Sequence, residues 1–179
     1  MQYILVASIL LLIGVDQITK LMATSSLAGH NMIPVIGDVF YFTYTENTGA
    51  AFGMLKESRW IFIVLTFILV IAALYVLFKK SIKKTMLLKW ALVPIIAGGL
   101  GNLIDRVCKG YVVDMIYFKP IDFPVFNFAD ICVNVGGGLL ILGLLLAPAE
   151  IFSLKKKKKA PALADTSSSA AAGDGEDGD

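Results

Sequence analysis

Carboxylates, carboxamides and cations recur in short clusters along this chain: Asp16 with Lys20, Asn47 ahead of Gly49 and Phe52, Asn102 with Asp105 and Arg106, then Asp114, Asn127 and Asp130. Each cluster adjoins a long apolar run. Ionisable groups are costly at the border of hydrocarbon, so they mark places where a function is expected. The chemistry such a set supports is acid–base work by carboxyl groups. Asp114 lies in Val112-Val113-Asp114-Met115-Ile116, and Asp130 between Phe128-Ala129 and Ile131, neither with a cation beside it in sequence. Apolar surroundings raise a carboxyl pKa. Two carboxyls brought together cannot both ionise easily, so one keeps its proton while the other serves as base. Spacing alone leaves a structural role for both acids equally open.

The remaining clusters read as bracing. Asp16 and Lys20 are one helical turn apart, which suits an ion pair anchoring a helix end. Asn102 and Asp105 share a helix face, and Arg106 follows at once. Asp105 with Arg106 reads as a structural pair, while Arg106 is equally suited to holding a substrate carbonyl or a lipid phosphate. Other chemistries lack their parts. The single histidine, His30, has neither a nucleophile motif nor a Cys/His cluster around it, so neither a His-activated nucleophile nor a metal site is expected. No Gly-rich phosphate loop is present. The two cysteines, Cys108 and Cys132, form no framework of paired spacings and are expected as free thiols.

The elements that must position these residues are membrane helices. Of 179 residues, 57% are hydrophobic, and the mean hydropathy of +0.76 is that of an integral membrane protein rather than a soluble domain. Four runs, residues 2–22, 60–78, 86–107 and 131–152, are long enough to cross about 30 Å of hydrocarbon. The first has no basic n-region and continues its helical pattern through Asp16 and Lys20, so it reads as a retained span rather than a signal peptide. Lys79, Lys80, Lys83 and Lys84 follow the second span, and Lys155 to Lys159 the fourth. The positive-inside rule makes both places cytoplasmic, with both termini inside. Every polar cluster above then lies at the opposite face.

Between the spans, Val39 to Thr45 and Tyr111 to Phe118 are rich in β-branched and aromatic residues and read as strands. They come from separate loops and could pair into a small sheet resting on the membrane. Residues 24–30 read as loop, and residues 50–57 as a short interfacial helix. Pro120 and Pro124 turn the chain back toward the fourth span. Residues 160–179 have the composition of a disordered tail. The domain reading is therefore a polytopic membrane unit over residues 1–154, followed by a basic then acidic tail over 155–179.

Taken in order, Asp16-Gln17-Ile18-Thr19-Lys20, Asn47-Thr48-Gly49-Ala50-Ala51-Phe52-Gly53, Gly101-Asn102-Leu103-Ile104-Asp105-Arg106, Val112-Val113-Asp114 and Phe126-Asn127-Phe128-Ala129-Asp130 resemble the sequence blocks of bacterial lipoprotein signal peptidase, or signal peptidase II. Five blocks in the right order on the right spans make the resemblance specific, and it covers about residues 2–152. It implies an all-α membrane core of four helices with a small extracytoplasmic β-cradle and an interfacial helix. It further implies a cofactor-free intramembrane aspartic endopeptidase of the bacterial plasma membrane. That enzyme removes the signal peptide of diacylglyceryl-modified prolipoproteins on the N-terminal side of the lipidated cysteine. Carried over block by block, the catalytic pair would be Asp114 and Asp130, supported by Asn47, Asn102, Asp105, Arg106, Asn127, Asp16 and Lys20. Partners implied are the prolipoprotein substrates and membrane lipids, with no nucleic acid and a monomeric enzyme. Met115 stands where the family often has phenylalanine, which implies a change of packing.

A proton-coupled transporter would also keep intramembrane acids, but it needs some near the midplane. Residues 60–78 and 131–149 carry no charge. A non-catalytic scaffold would leave two unpaired acids in apolar loops without a purpose. Topology offers a direct check. In intact cells, single cysteines in residues 31–57 and 109–124 should react with a membrane-impermeant thiol reagent, and those in residues 79–84 should not. Labelling of the lysine-rich loop alone would invert the orientation.

Overall fold

The computed structural model describes residues 2–49, 59–79 and 86–146. Helix α1 spans Gln2–Leu27, followed by strands β1 (Ile33–Ile36) and β2 (Phe40–Asn47). Helices α2 (Arg59–Phe78) and α3 (Met86–Cys108) come next. Strand β3 (Val112–Phe118), a 3-10 turn over Lys119–Ile121, strand β4 (Phe123–Phe126) and helix α4 (Phe128–Leu145) complete the order. All four helices are long and apolar enough to cross a bilayer. The chain is a multi-pass membrane protein with a four-stranded antiparallel sheet in the order β1-β2-β3-β4 at one end of the helices. The interfacial helix expected over residues 50–57, the lysines at 80, 83, 84 and 155–159, and the tail lie outside the described residues.

Helix α3 is the axis of the bundle, packed against α1, α2 and α4. It buries Ala91, Leu92, Val93, Ile96, Ala97, Gly98, Gly101 and Asp105. Leu5 and Ile9 of α1 and Val70 and Leu77 of α2 close a hydrophobic cluster against it. Helix α2, by contrast, buries only Val70 and Leu77 among its 20 residues. Its exposed Ile61, Val64, Leu65, Phe67, Ile68 and Ile71 form a face that only lipid can solvate. Apolar side chains alone give helices in lipid little reason to associate, so close contact depends on small residues. A Cβ at Gly98 would lie 2.3 Å from the Ala129 carbonyl oxygen, and one at Gly136 would lie 2.6 Å from Ile95 Cγ1 and 2.8 Å from the Ala91 carbonyl oxygen.

The element limits depart from the sequence reading in three places, each with a local cause. Helix α1 runs to Leu27 through residues expected to be loop. The hydroxyl of Thr24 donates to the Lys20 carbonyl at 2.9 Å and that of Ser25 to the Met22 carbonyl at 3.1 Å, so this polar stretch is carried within the helix. Helix α4 starts at Phe128, not Ile131, because Asn127 caps it. Its side chain accepts the Asp130 N–H while the Asp130 carboxylate accepts the Asn127 N–H, a reciprocal capping box. Strands β1 and β4 were not foreseen, since each holds a proline, Pro34 and Pro124. Both are edge strands, where a missing N–H need not break a ladder.

The two strands foreseen do pair. Thr45 stands opposite Asp114, Glu46 opposite Val113 and Asn47 opposite Val112, with a register irregularity between Phe42 and Thr45. At the far end of this pair, Lys119 Nζ reaches Asp38 Oδ1 at 2.6 Å, and Tyr41 also donates to that carboxylate. Met115 packs behind β3 with Val113 and Ala23.

The α3–α4 approach gives a stability test. Gly98→Ala should destabilise the protein in detergent by about 1–3 kcal/mol, since the added methyl meets the Ala129 backbone and the Val133 side chain. Gly137→Ala, where a Cβ meets nothing within 4 Å, should change the melting temperature little. Equal effects of the two would refute this account of helix packing.

Candidate active site

Two helices, α1 and α3, meet at one ammonium group. Lys20 is 0% exposed, and its Nζ lies 3.0 Å from Asp16 Oδ2, 3.0 Å from Asp105 Oδ2 and 2.8 Å from Asn102 Oδ1. An ammonium has three N–H donors, and here each finds an acceptor. Both carboxylates are themselves buried, Asp16 at 1% and Asp105 at 0% exposed. Asp16 Oδ1 accepts the Ala129 N–H at 2.9 Å, which links α1 to the start of α4. Asp105 accepts Lys109 Nζ at 2.9 Å and the Val113 N–H at 3.3 Å, which links α3 to β3. Gly101 makes room for this cluster, because a Cβ there would lie 2.4 Å from Asp16 Oδ2.

The partner of Asp105 is therefore not Arg106, as the sequence suggested, but Lys20 and Lys109. Arg106 points elsewhere. Its guanidinium donates to the Gly49 carbonyl at 3.2 Å and stacks over the Phe62 ring, with 5.2 Å to the centroid. It lines a cavity of about 450 Å³ together with Asn47, Asn102, Asp114 and Asp130. The rest of the wall is mainly apolar and runs along α2, α3 and α4 through Leu69, Val70, Ile95 and Val133.

The two acids singled out by sequence meet at this cavity through carboxamides. Asn127 Nδ2 donates to Asp114 Oδ1 at 2.6 Å, and Asn47 Nδ2 to Asp114 Oδ2 at 2.9 Å. Asn102 Nδ2 donates to Asp130 Oδ1 at 2.8 Å, and the Asn127 N–H to Asp130 Oδ2 at 3.1 Å. Asn127 also donates to Asn102 Oδ1 at 3.2 Å, which closes the ring of contacts. Asp114 is 2% exposed. Burial pushes its carboxyl up to about 6, helped by the charge of Asp130 and opposed by the hydrogen bonds from Asn47 and Asn127 and by the charge of Lys20. A carboxyl in that range can hold or release a proton near neutral pH, as acid–base chemistry requires.

Every residue foreseen from sequence thus belongs to one connected assembly: Asp16, Lys20 and Asp105 beneath, Asn102 and Asn127 between, and Asn47, Arg106, Asp114 and Asp130 at the cavity. Sequence reasoning missed Gln17, whose amide spans Asp16 Oδ2 at 3.1 Å and the Gly101 carbonyl at 3.2 Å. It also missed Asn134 and the edge strand β4, both of which line the cavity. Asn134 had a signal: it is a polar residue one turn beyond Asp130 in an otherwise apolar helix. Among the described residues no group of three or more His, Cys, Asp and Glu side chains could hold a metal ion. Both cysteines are free, Cys132 buried and Cys108 exposed.

The buried cluster makes a strong demand on Lys20. Lys20→Met would leave Asp16 buried without its cation and Asp105 with Lys109 alone, and should cost about 3–5 kcal/mol. Lys109→Ala removes a partly exposed ammonium and should cost about 1 kcal/mol or less. Thermal unfolding of the two variants in one detergent measures the difference, and a Lys20→Met protein as stable as the parent would refute the role given to this network.

Comparison with known proteins converges on one family. The family model described as Signal peptidase (SPase) II matches residues 8–146. The lipoprotein signal peptidase of Clostridioides difficile (strain 630) is 43% identical over 145 residues, covering 81% of this chain and 95% of that protein. Its counterpart in Symbiobacterium thermophilum is 44% identical over 134 residues, covering 74% of this chain and 88% of that protein. Among solved structures, a bacterial membrane enzyme determined by the in meso method at 2.3 Å resolution matches with a TM-score of 0.73 and 33% identity, covering 87% of this chain and 93% of the other. A second, at 1.9 Å resolution, matches with a TM-score of 0.72 and 33% identity, covering 80% and 94%. Family match and near full-length relatives agree with the membrane fold just described, so this chain is a peptidase that belongs to the signal peptidase II family.

Proposed function

We propose that this chain is an intramembrane aspartic endopeptidase with Asp114 and Asp130 as its catalytic pair. Its substrates are diacylglyceryl-modified prolipoproteins, cut on the N-terminal side of the lipidated cysteine. The observation that carries this reading is the joint tethering of both carboxyls by Asn127 at the wall of one cavity. Water and a peptide bond placed there would have a base and an acid within one hydrogen-bonded unit. The cavity is polar at the acids and apolar along α2, α3 and α4, which suits a substrate whose reacting bond is polar while its signal helix and acyl chains are not. Arg106 is the cation available to the reacting carbonyl or to the lipid head. Asn47, Asn102 and Asn127 orient the carboxyls, while Asp16, Lys20 and Asp105 brace the helices beneath.

In this reading the protein works as a monomer among membrane lipids in the bacterial plasma membrane. Both termini are cytoplasmic, the active site lies toward the extracytoplasmic leaflet, and residues 160–179 form a dispensable tail. The chemistry uses side chains alone, without metal or organic cofactor, and nucleic acid has no part in it.

The test is cleavage of a purified diacylglyceryl-modified prolipoprotein. Asp114→Asn and Asp130→Asn should each lower kcat by about 10²–10⁴-fold or more. The double variant should be little worse than either single one, since members of one catalytic unit are not additive. Near parental turnover in either single variant would exclude the pair.

A further inference from the structure

The two carboxyls do not have equivalent surroundings, and the carboxamide orientations can be read without ambiguity. Asn47 Oδ1 accepts the Gly49 N–H at 3.0 Å, so its Nδ2 must face Asp114. Asn127 Oδ1 accepts the Asp130 N–H at 3.0 Å, so its Nδ2 must face Asp114 and Asn102. Asn102 Oδ1 accepts the Lys20 ammonium, so its Nδ2 must face Asp130. Backbone N–H groups and an ammonium can only donate, so none of the three amides can turn over without losing a bond.

Asp130 then receives a backbone N–H at the first turn of α4, where the unpaired amides of the helix end favour negative charge. It is half-buried, with access to the cavity. Asp114 has no helix end behind it. It stands in β3 between the buried Val113 and Met115. The charged groups that act on it are Asp130 on α4, Lys20 on α1 and Arg106 on α3. Lys20 is already shared among Asp16, Asp105 and Asn102, and Arg106 makes its hydrogen bonds to backbone carbonyls.

We infer that the resting enzyme holds Asp130 as the ionised base and Asp114 as the proton-bearing acid. The inference rests on the proposed catalytic pair and assigns its two roles. Asp130 takes a proton from water as the water oxygen bonds to the scissile carbonyl carbon. Asp114 gives its proton to the carbonyl oxygen, forming a neutral gem-diol. As the C–N bond breaks, the nitrogen takes the proton held by Asp130, and Asp114 recovers one from a gem-diol hydroxyl. One water is consumed, a carboxylic acid and an amine leave, and both side chains return to their starting states. Burial lifts Asp114 to about 6, so the proton-bearing form predominates below that pH and becomes the minority above it.

Infrared difference spectroscopy during a pH titration of the full chain in detergent tests the assignment. The protonated acid should give a carboxylic C=O stretch that titrates near about 6 in the parent protein. Asp114→Asn should remove that band. Asp130→Asn should keep it with a lower midpoint, because the neighbouring negative charge that raises it is gone. A band that survives Asp114→Asn, a band lost only in Asp130→Asn, or no such band in the parent overturns the assignment. Loss of cleavage in both variants with the spectra reversed would leave the catalytic pair standing and exchange its roles. Cleavage by either variant would instead bring down the pair itself.

Discussion

A lysine ammonium with no exposed surface is tolerable only if every N–H is matched, and the protein is arranged around meeting that condition. The charge of Lys20 is divided between a carboxylate on its own helix, a carboxylate on α3 and the carboxamide of Asn102. Taking charges out of water is expensive, and mutual attraction offsets it only when the remaining lone pairs are also occupied. Here Asp16 Oδ1, the oxygen that Lys20 leaves free, accepts the Ala129 N–H, while Asp105 Oδ2 accepts the Val113 N–H beside the ammonium and its Oδ1 takes Lys109. Ala129 and Val113 each lie one position before an acid at the cavity, Asp130 and Asp114. The ionic cluster thus sets the backbone from which both acids project.

Above that base the bonding changes from ionic to neutral. Three carboxamides, each turned by a donor that cannot accept, present N–H groups to three of the four oxygens of the acids. The fourth donor is the backbone N–H of Asn127, supplied by the helix cap. No lysine or arginine forms an ion pair with either acid among the described residues. A cation at contact distance would hold both carboxyls ionised and leave none to donate. Amides locate a carboxyl about as firmly while leaving its proton affinity adjustable by burial. The segregation of charges below and amides above is consistent with that requirement.

The legible part of this architecture was its chemistry and its spans. Apolar runs gave the helices, β-branched runs gave β2 and β3, and acids without neighbouring cations marked Asp114 and Asp130. Part of what escaped reading involved partners distant in sequence. Asp105 is adjacent to Arg106, so a local pairing was the natural inference, but successive residues on a helix point in different directions. Only the packing of α1 on α3 brings Lys20 to Asp105. Prolines concealed β1 and β4, since a proline argues against a strand unless it is known to lie at an edge. The hydroxyl-rich end of α1 looked like loop because its hydrogen bonds return to its own helix. Asn127 was recognised as a motif residue, yet its function as a helix cap depends on φ and ψ, which composition does not reveal.

The division of the Lys20 cluster among elements far apart in the chain also bears on how the protein is made. During synthesis α1 emerges first, carrying Asp16 and Lys20. They can pair with each other, but Asn102, Asp105 and the Ala129 N–H belong to segments translated later. A half-satisfied ionic group in hydrocarbon costs about 2.5–3.5 kcal/mol on insertion scales. The charged end of α1 must therefore stay at the water-exposed margin until α3 arrives, and can be enclosed fully only once α4 has docked. Membrane insertion and assembly of the cavity are in this sense one ordered process, in which the last of the described helices both completes the bundle and delivers Asn127 and Asp130.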